Sequence, residues 1–273
     1  MNLNMTYKIR KKLDKKFSLC ARSVPDIRLE EVITVAMDTG YHAVGFAFDN
    51  IHELDKTLAL DLRERINNSP LFGLDIDVIR IKPGPLNTEV FHFLDLAAII
   101  GIQYVLVVSH DPDFDQTVVK LTELCDHAID LGLGIVFEFL MLTEYRTLDD
   151  AFAVVNAVNR SNAKILIDTL HLVRAGHNPE YISNFDESLF PYIQLCDGKA
   201  KINHNDYEEV VFDSRENRFS PGDGELPIHE ILRFINTDIP ISIEVRSHVL
   251  NRLFPDASER ASYLKSACKK FFE

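Results

Sequence analysis

The chain has 273 residues, 46% of them hydrophobic, and a formal net charge of −13. This length suits one large α/β barrel or two ordinary domains, and the apolar content is ample for a sizeable core. The negative charge argues against non-specific binding to nucleic acid, because contacts to phosphates need a basic surface.

Residues 1–16 form a basic N-terminal arm that is too poor in apolar residues to act as a secretory signal. The longest apolar runs elsewhere are far shorter than a membrane span. The four cysteines are widely spaced without a CxxC pair, which indicates free thiols rather than a zinc knuckle or a disulfide framework. We therefore expect a cytoplasmic protein with no membrane or nucleic-acid partner, in which the arm is a solvated terminus.

From Phe17 onward, apolar segments typical of buried strands alternate with segments of helical periodicity. The predicted strands are 17–21, 43–48, 71–81, 104–109, 135–140, 165–168, 192–196 and 241–245. The predicted helices are 28–39, 54–67, 88–100, 115–131, 148–159, 179–185, 227–235 and 258–272. This alternation predicts a single (β/α)8 TIM barrel over residues 17–273. The long stretch 198–225 follows neither pattern, and loops of that length are usually functional or mobile.

Polar side chains follow several of the predicted strands. In residues 164–171, with the sequence KILIDTLH, three branched apolar residues run into Asp168. Such an aspartate either caps the following turn or helix or contributes to a functional site. Three other strands also end near an oxygen-bearing side chain, and these residues are Glu138, Gln194 and Glu244.

The C-terminal ends of the strands of a TIM barrel open onto one face, where such enzymes place their active sites. Glu138, Asp168, Gln194 and Glu244 should therefore converge there. Three carboxylates without a cation would repel one another, and a divalent metal ion resolves this conflict. A set of oxygen ligands favours Mn²⁺, Mg²⁺ or Co²⁺ over Zn²⁺.

With these residues at the strand ends, the chain resembles the xylose isomerase-like TIM-barrel superfamily of sugar isomerases, epimerases and related lyases. The resemblance covers essentially the whole barrel. The resemblance implies one divalent metal ion held by the four residues just named. It also implies functional roles for His171, three residues after the metal-binding aspartate, and for Glu144, which matches a second glutamate of the sugar epimerases. Many members have histidine in place of Gln194, whereas hydroxypyruvate isomerases and 3-dehydroshikimate dehydratases have glutamine.

The segment 214–225 resembles the arginine-containing PGxGE segment of several branches of the superfamily. Either Arg215 or Arg218 could hold a carboxylate or phosphate, or steady an enolate, although an arginine on a long loop can also be simply solvated. Three further candidates for contacts with substrate lie near strand ends, and they are His110, Lys199 and Arg246.

The predicted site suits chemistry next to a carbonyl group. A metal ion bound to a ketone and its neighbouring hydroxyl lowers the pKa of the adjacent C–H and stabilises the enediolate. Glu138 and Glu244 could then remove and return the proton, which predicts an isomerase or epimerase of a small polyhydroxy keto compound such as a sugar or sugar phosphate. If a hydroxyl sits β to the carbonyl, the same intermediate loses water, as in a dehydratase of the 3-dehydroshikimate or inosose type. His171 is compatible with both outcomes.

Two other classes share this kind of barrel. A DNA-repair nuclease of the endonuclease IV kind is expected to have a trinuclear zinc site rich in histidines. The matching histidines are sparse in this acidic chain. A non-catalytic metabolite-binding barrel would look similar overall. The sequence leaves the substrate open, and it leaves open whether the chain forms a homo-oligomer.

Overall fold

A closed barrel of parallel strands forms the centre of the molecule. The computed structural model describes residues 15–236 and 238–273. Within these residues eight strands pair in chain order, and the last strand pairs with the first. The strands are β1 (Phe17–Cys20), β2 (Ala43–Ala47), β3 (Phe72–Ile81), β4 (Ile102–Ser109), β5 (Gly134–Glu138), β6 (Ala163–Asp168), β7 (Ile193–Leu195) and β8 (Ile241–Ile243). The predicted single (β/α)8 TIM barrel is confirmed, whereas most of the predicted basic arm, residues 1–14, lies outside the described residues.

Helices connect the strands. They are α1 (Leu29–Asp38), α2 (Lys56–Asn67), α3 (Glu89–Ile100), α4 (Phe114–Asp130), α5 (Leu148–Val158), α6 (Thr169–Arg174), α7 (Tyr207–Arg215), α8 (Ile228–Arg233), α9 (His248–Leu253) and α10 (Ala257–Lys269). Across the described ranges, none of these helices is both long and apolar enough to cross a bilayer. The four cysteines are buried free thiols.

Three short helices differ from the sequence predictions. Helix α6 begins directly after β6, because the Asp168 carboxylate caps it by accepting from the backbone amides of Leu170 and His171. Helix α7 lies inside the stretch 198–225, which was predicted to be irregular, and α9 follows β8. Each of the three has only six to nine residues, too few for a clear apolar period. The helix predicted at 179–185 is a 3-10 helix over Pro179–Asn184.

Alternation along the strands decides which side chains enter the barrel. Residues that differ by two positions share one face of a strand. A compact apolar cluster that includes Val136, Leu166 and Tyr192 belongs to one of these faces. Two positions further along the chain lie Glu138, Asp168 and Gln194. The strand register therefore places these polar side chains above an apolar layer, at the C-terminal ends of the strands.

Ser23 and Arg260 fasten the closure between β1 and β8. The hydroxyl of Ser23 donates to the Ile243 carbonyl at 2.9 Å, and the Val245 amide donates back to that hydroxyl at 2.8 Å. The fully buried guanidinium of Arg260 donates to the Ser23 carbonyl at 3.0 Å and pairs with Asp26. This buried arginine thus ties the last helix to the loop after the first strand.

We predict that Arg260→Ala lowers the free energy of unfolding by roughly 2–4 kcal/mol, because buried carbonyls lose their donor and a cavity remains. Arg65→Ala is the matched control, since Arg65 forms an exposed ion pair with Asp61 on α2. Its unfolding midpoint should hardly change. Urea unfolding of both variants measures this, and equal midpoints for the two would contradict the role given to Arg260.

Candidate active site

Four strand ends bring the predicted oxygen ligands together. Glu138 ends β5, Asp168 ends β6, Gln194 lies in β7, and Glu244 follows β8. All four side chains are buried. Glu138, Gln194 and Glu244 line one cavity at the C-terminal mouth of the barrel. Asp168 is fully buried and reaches this cavity through its contact with Arg218, which also lines it.

Arg218 joins two of these carboxylates. Its Nη1 atom lies 2.6 Å from Asp168 Oδ2 and 2.9 Å from Glu244 Oε2. Its Nε atom donates to the Ser214 carbonyl at 2.8 Å, and its side chain is only 3% exposed. A guanidinium with this many charged and polar partners is held in one orientation. It partly balances the negative charge gathered at the strand ends.

His171 completes the group around Arg218. Its Nε2 atom lies 3.3 Å from Arg218 Nη2 and 4.0 Å from Glu138 Oε1. Because the guanidinium can only donate, Nε2 accepts in this contact, which places the proton of the neutral ring on Nδ1. Burial, opposed by the charge of Asp168 and reinforced by that of Arg218, lowers the pKa of His171 to about 4. The imidazole is therefore neutral at physiological pH in this arrangement.

The carboxylates respond differently to their surroundings. Burial, and then the charges of Asp168 and Glu244, raise the pKa of Glu138 well above its ordinary value. Burial opposes ionisation of Asp168 as well, but Arg218, His171 and backbone donors outweigh it and lower that pKa. On β3, burial and the charge of Glu244 raise the pKa of Asp77 to about 7. The site thus holds more negative charge than Arg218 alone compensates.

The donor set fits a divalent cation. Ligand atoms of Glu138, Asp168 and His171 lie within 4.8 Å of one another. The amide nitrogen of Gln194 is buried and has no hydrogen-bond partner among the described residues. Surplus negative charge and buried oxygen donors are the features expected of a site for a hard cation, to which Gln194 would offer its carbonyl oxygen. Glu138, Asp168, Gln194 and Glu244 are the residues that would hold it.

The loop that carries Arg218 is organised by Asp197, just beyond β7. Backbone amides donate to the two oxygens of the Asp197 carboxylate at 2.8 to 3.1 Å, and they belong to Gly198, Gly222, Gly224 and Leu226. A Cβ atom on Gly224 would lie 2.3 Å from Asp197 Oδ1, so only glycine fits there. The PGDG sequence at 221–224 therefore wraps around a buried carboxylate. Asp197 also pairs with Phe219 through main-chain hydrogen bonds, which positions the adjacent arginine.

The other predicted contact residues divide into two groups. His110, Arg215 and Arg246 line the same cavity as Glu138. Glu144 and Lys199 have exposed side chains and are not among the residues that line it. The main chain of Lys199 instead accepts from Arg174 at 2.9 Å, which helps to fix the loop against α6.

Sequence reasoning missed several residues of the cavity. Arg22 follows β1, Asp77 and Arg80 lie in β3, and Asp49 follows β2, and all four line the cavity. The ends of β5 to β8 carry oxygen ligands, whereas the residues at the first three strands that line the cavity include arginines. The rule that strand ends carry functional residues therefore also points to Arg22 and Arg80.

Two comparisons with curated proteins give partial matches. The chain is 27% identical over 154 residues to an inosose isomerase from Bacillus subtilis (strain 168), which covers 52% of each chain. It is 29% identical over 120 residues to an inosose dehydratase from Clostridium beijerinckii (strain ATCC 51743 / NCIMB 8052), which covers 42% of this chain and 40% of the relative. The chain therefore spans about half the length of the curated relatives it matches.

The barrel itself resembles solved structures along almost its whole length. A structure of the IolI protein with a bound zinc atom superposes with a TM-score of 0.80 and 21% identity, covering 94% of this chain and 98% of that one. At this level of identity the likeness concerns the fold. The family model described as xylose isomerase-like TIM barrel matches residues 33–267, which is most of the chain. With the closed barrel and the residues at its mouth, this match shows that the chain belongs to the xylose isomerase-like TIM barrel family.

Proposed function

We propose that this chain is a divalent-metal-dependent isomerase or epimerase of a small polyhydroxy keto compound, and that it moves a proton on the carbon next to the carbonyl. The observation that carries the proposal is the placement of two glutamates. Glu138 at the end of β5 and Glu244 just after β8 line one cavity, and they lie on either side of the Asp168–Arg218 pair in the strand order. Two carboxylates that border the same small space can act on the two faces, or the two carbons, of one substrate.

A divalent ion held by Glu138, Asp168, Gln194 and Glu244 would supply Lewis-acid chemistry, which polarises a carbonyl and acidifies the neighbouring C–H. The chain's own groups account for the remaining requirements. Arg218 fixes the orientation of Glu244 through a 2.9 Å contact, and both side chains are buried. One glutamate accepts the proton from carbon, and the other returns a proton at the neighbouring position.

A dehydratase is the second candidate, and the placement of His171 favours it. His171 lines the cavity, and its Nε2 atom lies 4.0 Å from Glu138 Oε1. A proton taken from carbon by Glu138 could pass to the imidazole and then to a departing hydroxyl group, which would leave as water. The relatives named above include both an isomerase and a dehydratase of inosose. Their names are therefore compatible with either outcome.

We expect the purified protein to bind about one divalent ion per chain. Glu138→Ala and Asp168→Ala should each abolish this stoichiometry, since each removes a buried oxygen donor. Asp130→Ala, at the exposed end of α4, is the control. Elemental analysis after dialysis against Mn²⁺ measures the content, and circular dichroism verifies folding. Unchanged metal content in both site variants would remove the metal assignment.

Glu244→Gln should keep an oxygen donor but lose basicity. We predict that this variant still binds metal and substrate while turnover falls by about 10²-fold or more. Wild-type protein in heavy water should place deuterium on the carbon next to the substrate carbonyl, and the variant should do so far more slowly. Glu123→Gln on the exposed face of α4 should behave like wild type. If no keto sugar, hydroxypyruvate-like acid or dehydroshikimate-like ring exchanges with any divalent metal, the chain is a binding protein instead.

His171→Ala distinguishes the two candidate reactions. If the imidazole delivers a proton to a departing hydroxyl, loss of water should slow much more than exchange of the α-proton. If the chain is an isomerase or epimerase, both deuterium incorporation and product formation should fall by similar factors. Proton NMR in heavy water follows exchange and product formation in one sample, so the ratio of the two rates decides between the candidates.

A further inference from the structure

Charged residues are unevenly distributed around the mouth of the barrel. Strands β5, β6 and β7 supply Glu138, Asp168 and Gln194. Arginines come from the opposite arc of the barrel. This arc consists of β8, β1, β2 and β3, which are consecutive neighbours in the closed sheet. Those that line the cavity from this arc are Arg22 after β1, Arg80 in β3 and Arg246 after β8, and Arg215 joins them from the end of α7. The cavity therefore has an acidic arc and a basic arc.

The basic arc carries more positive charge than its carboxylates balance. Arg22 pairs with Asp49 at 2.7 Å, and Arg80 Nη1 donates to the main-chain oxygen of Asp49 at 3.2 Å. Within the described part of the chain, the arginines of this arc that form no ion pair with a carboxylate are Arg80, Arg215 and Arg246. Four guanidinium groups, those of Arg22, Arg80, Arg215 and Arg246, line this arc with three carboxyl groups, those of Asp49, Asp77 and Glu244, which leaves one positive charge.

These guanidinium groups lie close enough to affect one another. Burial, and then the charge of Arg22, lower the pKa of Arg80. Arg246 lines the same cavity, and its side chain is half-buried. Half-buried like charges cost free energy unless an anion lies between them. Such a grouping, open to a cavity, is what binds a carboxylate or a phosphate in proteins.

We propose that Arg80 and Arg246, flanked by Arg22 and Arg215, form a subsite for an anionic group of the substrate. This inference rests on the proposed function, and it narrows the substrate class to keto-polyols that carry a phosphate ester or a carboxylate. The carbonyl end of the substrate lies at the acidic arc, and the anionic end lies at the basic arc. A surplus of positive charge and several guanidinium groups on one wall suit a phosphate ester or a carboxylate.

Binding of simple anions tests the subsite without any turnover. We would titrate inorganic phosphate, fructose 6-phosphate, 2-ketogluconate and fructose into the full chain by calorimetry, both with manganese and after chelation. The anions should bind at least about tenfold more tightly than fructose. The double variant Arg80→Gln/Arg246→Gln should lose affinity for the anions by roughly tenfold or more for each arginine. Arg252→Gln, an exposed residue of α9 away from the cavity, is the control. The tighter of the two charged sugars identifies phosphate or carboxylate as the group recognised.

Arg80→Lys/Arg246→Lys keeps both charges and guards against misfolding of the glutamine variant. Binding that weakens less in the lysine variant than in the glutamine variant supports recognition by charge at these positions. Equal affinity for phosphate in wild type and in the glutamine variant, with both folded, would overturn the subsite. If anions fail to bind but neutral keto sugars still exchange deuterium, the substrate class is wrong and the proposed function stands. If anions bind at the arginines and no keto compound exchanges, the proposed function fails and the subsite remains.

Discussion

The buried contact of Arg218 with Asp168 and Glu244 is the interaction on which the site depends. It joins residues 50 and 26 positions apart in the chain, and it holds the loop after β7 against the strand ends. Charges of this kind lose their hydration on burial, and removing one partner of a buried pair is strongly destabilising, by about 3–5 kcal/mol. The four amides around Asp197 hold the same loop from its other side. Together these contacts make a long loop part of the active-site wall.

Much of the site followed from a simple regularity of the sequence. Glu138, Asp168, Gln194 and Glu244 could be placed at one face because each follows a buried apolar strand, and parallel strands in a barrel end on one side. The interpretation of Asp168 as a helix cap is confirmed. One carboxylate oxygen caps α6 while the other contacts Arg218. A single aspartate thus sets the start of a helix and contributes to the site, and the sequence pattern alone could not show that the roles coincide.

Other features depend on contacts that no local pattern contains. Whether Arg215 or Arg218 enters the site is decided by main-chain pairing of the loop with Asp197 and Arg246. As a result Arg218 is buried and Arg215 remains exposed at the cavity edge. Helix α6 has six residues, and a segment this short shows no reliable period, so its capping residue is the better signal. Arg80 lies near the end of β3, and the closed barrel shows that it lines the same cavity as Arg22 and Arg246.

The uneven charge of the mouth gives the overall acidity of the chain a local meaning. A net charge of −13 repels anions at long range, so an anionic substrate would need a local positive field to be retained. The arginines of β8, β1 and β3 supply such a field inside a cavity, where low dielectric strengthens it. The carboxylates at the ends of β5 and β6 create the opposite field a few strands away from β1, which attracts a cation. Glu244 lies after β8, two residues before Arg246. Arg218 lies at the boundary, because it contacts both β6 and the residue after β8. The barrel thereby places the carboxylates proposed for the reaction mainly at the ends of β5 and β6. The arginines proposed for the anionic end of the substrate lie mainly at β1 and β3.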